Sequence, residues 1–473
     1  MFESWWNTEI GVLLTFGMQA LFIAVSVSLT VHILLNKSDP KASLMWIALV
    51  WFAPVFGAVF YLLFGINRIS RRAARLEESP QRSFSSSTEY EHPASDQEES
   101  LGLEFHRLGN FVTRSHRTLH NRIEILQGVT EIHDEMRRAI EAADTSIILS
   151  TFIFKNDTLG KEIAQTLVRA AQRGVDVKVL LDGVGRGPFS SRIRKRLENG
   201  GVDLQRFLHG FWPWRAPFLN LRNHRKILVI DGRTAFTGSL NIGRVKNLET
   251  HFKIHGPVTK QFTETFKKDW ALACGKALPD DVLKKNFERS GNVIARGIRS
   301  GPAYENERLR WIILGALGCA KREIRVVTPY FIPDRGLLSG LTLAALKGVD
   351  VEIVLPKHSN FPFADWAAEH QLKGLIEAGC NIYRRSDLFD HSKLMTIDGK
   401  WALVGSSNWD ARSLRLNFEF DLECEDSEFI ANLNEVIAER RVNSSLVRLA
   451  DLENSSMIKR LRDASARLLL PYL

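Results

Sequence analysis

Asn223-His224-Arg225-Lys226-Ile227-Leu228-Val229-Ile230-Asp231-Gly232, continued to Gly238-Ser239-Leu240-Asn241, is the stretch from which the fold can be read, because the chain carries it twice. The first copy is His224-x-Lys226-x4-Asp231-x6-Gly238-Ser239-x-Asn241. The second is His391-x-Lys393-x4-Asp398-x6-Gly405-Ser406-x-Asn408. Six residues recurring at identical offsets are not a product of composition. Brought together, two histidines, two lysines and two asparagines would form a site for a phosphodiester, with nucleophile, acid and charge clamp each supplied by one half or the other.

The repetition extends outward from the motif. Thr151-Phe152-Ile153-Phe154-Lys155-Asn156-Asp157 parallels Thr328-Pro329-Tyr330-Phe331-Ile332-Pro333-Asp334, and Gly174–Leu181 parallels Gly348–Leu355. Gly201-Val202-Asp203-Leu204 likewise parallels Gly379-Cys380-Asn381-Ile382. Each half alternates β-rich runs with helical segments such as Lys161–Arg173 and Leu337–Lys347, which argues for α/β units around a central sheet. The expected body is a pseudo-twofold pair, a first half at 101–290 and a second at 291–473, with the two motifs meeting at the interface. The offset from Leu204 to His224 is 20 residues, whereas Ile382 to His391 is 9. The first half therefore holds an insertion of 11 residues, within 207–218, where Phe211, Trp212, Trp214 and Phe218 sit among Pro and Gly. It reads either as core or as an amphipathic lip at a membrane interface, where Trp is favoured.

Ahead of the body lie two uncharged stretches of 26 residues, Ile10–Leu35 and Ala42–Asn67, each longer than the roughly 20 residues that cross a bilayer core. The short polar turn Asn36–Lys41 joins them, so residues 1–76 are expected to form a two-helix transmembrane hairpin. Trp5, Trp6, Trp46 and Tyr61 are its candidate interfacial anchors. No basic n-region precedes the first stretch and no A-x-A site follows it, so a cleaved signal peptide is not expected. Arg68, Arg71, Arg72 and Arg75 follow the second span, which by the positive-inside rule puts the body on the cytoplasmic side of a multi-pass anchor in the inner, cytoplasmic membrane.

Net charge is +9 over 473 residues, but unevenly spread. Residues 1–76 carry +3 and the Ser- and Glu-rich stretch 77–100 carries −6, which leaves +12 for 101–473. The acidic stretch reads as a flexible linker with too little apolar surface to fold. The basic body suits a polyanion, nucleic acid or anionic lipid, and the anchor favours lipid. Four scattered cysteines, Cys274, Cys319, Cys380 and Cys424, form no CxxC pair and read as reduced, buried thiols. The tail Met457–Leu473 reads as a helix packed on the body, or else as an amphipathic helix at the membrane.

The residues make chemical sense as a set. A neutral imidazole can attack phosphorus, and a second, protonated one can donate to the leaving alkoxide and then deprotonate the incoming hydroxyl. Lys226 and Lys393 supply charge, and Asn241 and Asn408 supply amide donors, to the non-bridging oxygens, with Ser239 and Ser406 beside them. Two ammonium groups serve where a metal otherwise would, so neither metal nor cofactor is expected. Asp231 and Asp398 complete the catalytic motif, yet each precedes Gly in an Ile-Asp-Gly turn, and shaping that turn is their first-choice role.

The paired motif is similar to that of the phospholipase D superfamily. Thr328–Asp334, Gly405-Ser406-Ser407-Asn408-Trp409 and Ser413-Leu414-Arg415-Leu416-Asn417-Phe418-Glu419 resemble the bacterial cardiolipin synthases within it. The resemblance implies a pair of α/β/α sandwich domains, His224 as nucleophile and His391 as acid/base. It also implies an acidic partner downstream of each motif, carried here onto Glu249 and Glu419. The implied reaction moves a phosphatidyl group between two phosphatidylglycerol molecules, giving cardiolipin and glycerol. Phosphatidylglycerol and other anionic phospholipids are then the partners, and nucleic acid is not. Water or another alcohol as acceptor, as in a phospholipase D, is the alternative. A non-catalytic membrane tether is a second one.

Overall fold

The computed structural model describes residues 2–37, 40–65, 100–183, 190–207, 221–278, 289–302, 307–454 and 456–468. The chain divides into two units, Met1–Arg75 and Leu76–Leu473. Most of the acidic linker, Arg68 to Arg75 and the insertion beyond Phe207 lie outside the described residues.

Among the described residues of the first unit, one helix, Phe2–Asn36, contains a span long and apolar enough to cross a membrane, Gly11–Asn36. Leu14, Phe16, Leu21 and Leu34 are each more than half exposed on it, an apolar surface that hydrocarbon tolerates and water does not. The second uncharged stretch departs from the expected unbroken helix. It runs as Pro40–Phe52, then Pro54–Phe60, then one π-helical turn, Tyr61–Gly65. The break is proline chemistry: Pro54 has no N–H to offer the carbonyl of Val50, four residues back, and its ring crowds that turn. The Ser26 hydroxyl donates to the freed Val50 carbonyl at 3.4 Å. Tyr61, expected as an interfacial anchor, is instead fully buried between the two segments, its hydroxyl 2.9 Å from His32 Nδ1 and its ring edge-on to Trp46.

The second unit is built on one fifteen-stranded sheet. The first half contributes β1 (Thr118–Gln127), β2 (Ser146–Thr151), β3 (Asp176–Asp182), β4 (Asp203–Phe207), β5 (Ile227–Ile230), β6 (Thr234–Gly238) and β7 (Thr250–His255). The second contributes β8 (Val293–Ser300), β9 (Glu323–Val327), β11 (Asp350–Pro356), β12 (Asn381–Arg385), β13 (Leu394–Ile397), β14 (Trp401–Gly405), β16 (Glu419–Glu425) and β17 (Ser444–Leu446). Two short strands, β10 (Phe331–Ile332) and β15 (Trp409–Asp410), pair separately. Read outward from the centre, the halves have the same order: β1-β7-β6-β5-β2-β3-β4 on one side and β8-β16-β14-β13-β9-β11-β12 on the other. β1 pairs with β8 across the middle, so the sheet is continuous through the pseudo-twofold axis.

Helices cover both faces, which is why β5, Ile-Leu-Val-Ile, is buried at every position and reads as an apolar run rather than an alternation. Leu149, Leu167, Val179 and Leu228 belong to the core of the first half, and Ile324, Leu341, Ile353 and Met395 to that of the second. The repeated Thr-to-Asp segments end on matching helix caps. Asp157 accepts from the amide of Gly160 at 3.0 Å, and Asp334 from that of Gly336 at 2.8 Å. The C-terminal helix Met457–Leu468 packs on Pro362–Glu377, with Ala466 buried against Ala367 and Arg462 over the Trp366 ring. Cys380 and Cys424 are buried, whereas Cys274 and Cys319 are only partly so; all four are free thiols.

Candidate active site

His224 and His391 each sit just ahead of a strand that ends at a motif aspartate. Asp231 (φ +52) and Gly232 (φ +67) turn β5 into β6, and Asp398 (φ +55) and Gly399 (φ +67) turn β13 into β14. This left-handed backbone suits Asp-Gly. The Asp231 carboxylate accepts from the amides of Asp144, Thr145 and Ser146 at 2.7–3.0 Å. Asp398 accepts in the same way from Lys321, Arg322 and Glu323. Both aspartates thus clamp the far end of the strand from the histidine and hold it against the start of the neighbouring antiparallel strand, β2 or β9. Asp398→Ala strips three amides of their acceptor. The expected outcome is a loss of about 2–3 kcal/mol of unfolding free energy, measured by denaturant titration, with turnover of the folded protein within about tenfold of wild type.

At the near end of these strands the two halves exchange partners. Asn223 makes a parallel bridge with Phe418, and the amide of His224 donates to the Phe418 carbonyl at 2.9 Å. Leu248 bridges Asp390 in mirror fashion, and the amide of His391 donates to the Leu248 carbonyl, also at 2.9 Å. The side chains follow. His224 Nδ1 lies 2.9 Å from Glu419 Oε2, and His391 Nδ1 lies 3.2 Å from Glu249 Oε2. Each imidazole is therefore oriented by the glutamate of the other half, so neither half holds a complete site alone. The sequence points to these two acids but not to the crossing.

Each glutamate is fixed in turn. Ser406 Oγ donates to Glu419 Oε2 at 2.6 Å and Asn417 Nδ2 to Oε1 at 3.0 Å; Ser239 and Asn247 do the same for Glu249. Asn247 and Asn417 were missed as site residues, although an Asn-x-Glu repeated at one offset was a signal that could have found them. Both lysines donate to the carbonyl of their own histidine. The asparagines are less alike than the repeat implies. Asn241 Oδ1 accepts from the amide of Ile153 at 3.3 Å, whereas Asn408 hydrogen-bonds Asp410. Phe152 packs edge-on against His224 at 5.2 Å.

Burial and mutual charge set the protonation states. Burial raises the cost of a charged imidazole and pushes His224 down to about 4, against the pull of Glu419; burial and the Lys393 charge also lower His391. Burial alone would raise the two glutamates, but their histidine partners and the lysine charges outweigh it, holding Glu249 at about 2 and Glu419 below its ordinary value. The site thus holds ionised carboxylates facing neutral rings, so each Nδ1–H donates to its glutamate and each Nε2 lone pair points elsewhere. Lys226 is lowered to about 8 and Lys393 to about 7, first by burial, and for Lys393 next by the Lys226 charge.

These lysine shifts have a sign. An ammonium is charged below its pKa and loses that charge as pH rises through it. The attraction for an anionic phosphate is therefore full only well below about 7 and is lost as pH rises through about 7, where Lys393 titrates, and about 8, where Lys226 does. kcat/KM, which reports the free enzyme, is expected to fall as pH rises from about 7 to 9, well below where an ordinary lysine titrates. A flat kcat/KM across that range would remove this role.

A two-lobed α/β body with crossed histidine–glutamate pairs defines an enzyme of the phospholipase D superfamily. Residues 136–270 and 313–441 match the family described as "Cardiolipin synthase, PLD-like domain", and the chain belongs to it. Residues 24–65 match a "Phospholipase_D-nuclease N-terminal" segment. A cardiolipin synthase of Clostridium perfringens (strain SM101 / Type A) is 31% identical over 462 residues, covering 93% of this chain and 96% of the relative. Cardiolipin synthase 1 of Bacillus cereus is 28% identical, covering 99% and 96%. Among solved structures, phosphatidylserine synthase of Haemophilus influenzae shares the fold with a TM-score of 0.60 at 16% identity, over 78% of this chain and all of that one. Phospholipid substrates and membrane association follow from this membership and the apolar helix.

Proposed function

We propose that the protein is a phosphatidyltransferase that joins two phosphatidylglycerol molecules into cardiolipin and releases glycerol. The observation that carries this reading is the reciprocal pairing of His224 with Glu419 and His391 with Glu249, in a chain whose relatives are named cardiolipin synthases. His224 Nε2 attacks the phosphorus of the first lipid. On binding the anionic lipid, His391 takes up a proton from solvent on Nε2; the bond from phosphorus to the glycerol oxygen then breaks, and His391 gives that oxygen this proton. A primary hydroxyl of the second lipid then attacks the phosphohistidine, loses its proton to His391, and frees His224. Lys226 and Lys393 draw the phosphate in and neutralise its non-bridging oxygens, while Ser239, Ser406, Asn247 and Asn417 hold the glutamates that orient the rings. The N-terminal segment keeps the enzyme in the bilayer that contains both substrates, as a multi-pass anchor with the body on the cytoplasmic side of the inner membrane.

The test supplies the full-length protein with phosphatidylglycerol alone. Cardiolipin and glycerol in equal amounts are the expected products. Phosphatidic acid without cardiolipin would make it a hydrolase instead.

A further inference from the structure

The two flanks of this near-symmetric site are not alike. Two residues ahead of His224 stands Arg222, and two residues ahead of His391 stands Phe389, whose ring lies 6.0 Å from that of His391. The tripeptides take part in matching bridges, the Phe418 amide donating to the Arg222 carbonyl at 2.8 Å and the Leu248 amide to the Phe389 carbonyl at 3.0 Å. In such an extended segment residues i and i+2 face the same side, so Arg222 shares a side with His224. Asn223, between them, faces the other way, into the buried Asp269 and Ser150.

The connection from the motif asparagine to the glutamate differs too. It takes eight residues from Asn241 to Glu249 but eleven from Asn408 to Glu419, and the extra length forms a short helix, Ala411–Arg415, which carries Arg412. Arg412 acts electrostatically on Arg222, and the carboxylate acting on both Arg222 and the site is Asp182, which already accepts from the amide of Asn223 at 2.7 Å. Arg222 Nη1 is enclosed and donates to no acceptor among the described residues. The Asp182 carboxylate offsets part of the repulsion between the two guanidinium groups, and the enclosed Nη1 edge of Arg222 still offers a planar fork of donors that matches phosphate.

The proposed reaction calls for such an anion. The acceptor lipid carries its own phosphodiester, one glycerol away from the hydroxyl that attacks. That second negative charge must lie beside the reacting phosphate, which already occupies the lysines. We propose that Arg222 and Arg412 form a second anion subsite, holding the phosphodiester of the acceptor lipid while its glycerol hydroxyl faces the phosphohistidine. This assignment rests on the transferase reading. It also gives the pseudo-symmetric site a direction: the acceptor's phosphodiester is held beside Arg222, and its glycerol reaches across so that the attacking hydroxyl lies next to His391, opposite His224 on phosphorus.

Two reactions of the full-length enzyme separate this role from the rest of catalysis. Incorporation of labelled glycerol into phosphatidylglycerol needs the first lipid and the phosphohistidine only; cardiolipin formation needs the second lipid as well. With Arg222→Gln or Arg412→Gln, the ratio of cardiolipin made to glycerol exchanged is expected to fall at least tenfold, with a raised KM for the acceptor lipid. Arg222→Lys, which keeps the charge but not the fork, is expected to recover part of that loss. An unchanged ratio overturns the subsite, and so does an equal fall in both reactions, which would assign the arginines to the fold or to the first step. A wild-type enzyme that exchanges glycerol yet never forms cardiolipin would defeat the transferase reading itself, and the subsite with it.

Discussion

His224→Ala is expected to reduce phosphatidyl transfer by about 10⁴-fold or more while the protein stays folded. The loss is expected to be large because the proposed division of labour leaves no second nucleophile: His391 is assigned as the acid. The fold should survive because the Glu419 carboxylate left behind keeps its bonds from Ser406 and Asn417. Residues that act as a unit are not additive, so the His224→Ala/His391→Ala double variant should be little worse than either single one. A His224→Ala enzyme that keeps more than about a hundredth of wild-type turnover would contradict the assignment. Unchanged lipid products in that variant would favour a non-catalytic tether.

Glu419→Gln is the second large effect, expected at about 10³–10⁴-fold. Glu419 accepts from three donors: the His224 ring, the Ser406 hydroxyl and the Asn417 amide. A glutamine brings an N–H among them and forces one pair of donors to face each other. The relief available is for the imidazole to switch tautomer, which puts the proton on Nε2 and removes the lone pair that attacks phosphorus. Glu249→Gln disturbs His391 by the same route, but its expected consequence differs, because His391 is the proposed acid. A phosphatidyl ester with a nitrophenol leaving group needs no acid. It should restore much of the first step, read as the nitrophenol burst, to Glu249→Gln and little of it to Glu419→Gln. Equal rescue of both variants would mean that the two histidines are not divided in this way.

How much of this was legible in the sequence follows from what each signal encodes. The duplicated motif and its flanking repeats contained the two-lobed α/β body, because equal spacing enforces equal strand and turn placement. The Asp-Gly turns were readable too, since Asp231 and Asp398 occupy left-handed backbone that few residue types adopt without strain. The crossing of Glu249 and Glu419 was not readable. Each acid follows its own histidine in sequence, and only the bridges Asn223–Phe418 and Leu248–Asp390, which join segments far apart in the chain, decide which ring it reaches. The break at Pro54 was visible as a proline, but hydropathy averages over it and reports only an uncharged stretch. Tyr61 looked like an interfacial residue by type, and its burial depends on the return of the second segment along the first, where His32 meets its hydroxyl. The difference between Arg222 and Phe389 was in the sequence throughout. It gains meaning only once the halves are superposed by their common strand order.

Rapid quenching of the enzyme during turnover of phosphatidylglycerol labelled in its phosphate, followed by peptide mapping, tests the central assignment most directly. The acid-labile, alkali-stable label is predicted on the peptide that carries His224, with glycerol released in equal amount, and it should be absent from Glu419→Gln. Label on the peptide that carries His391, or steady turnover with no covalent adduct at any time, would contradict the account.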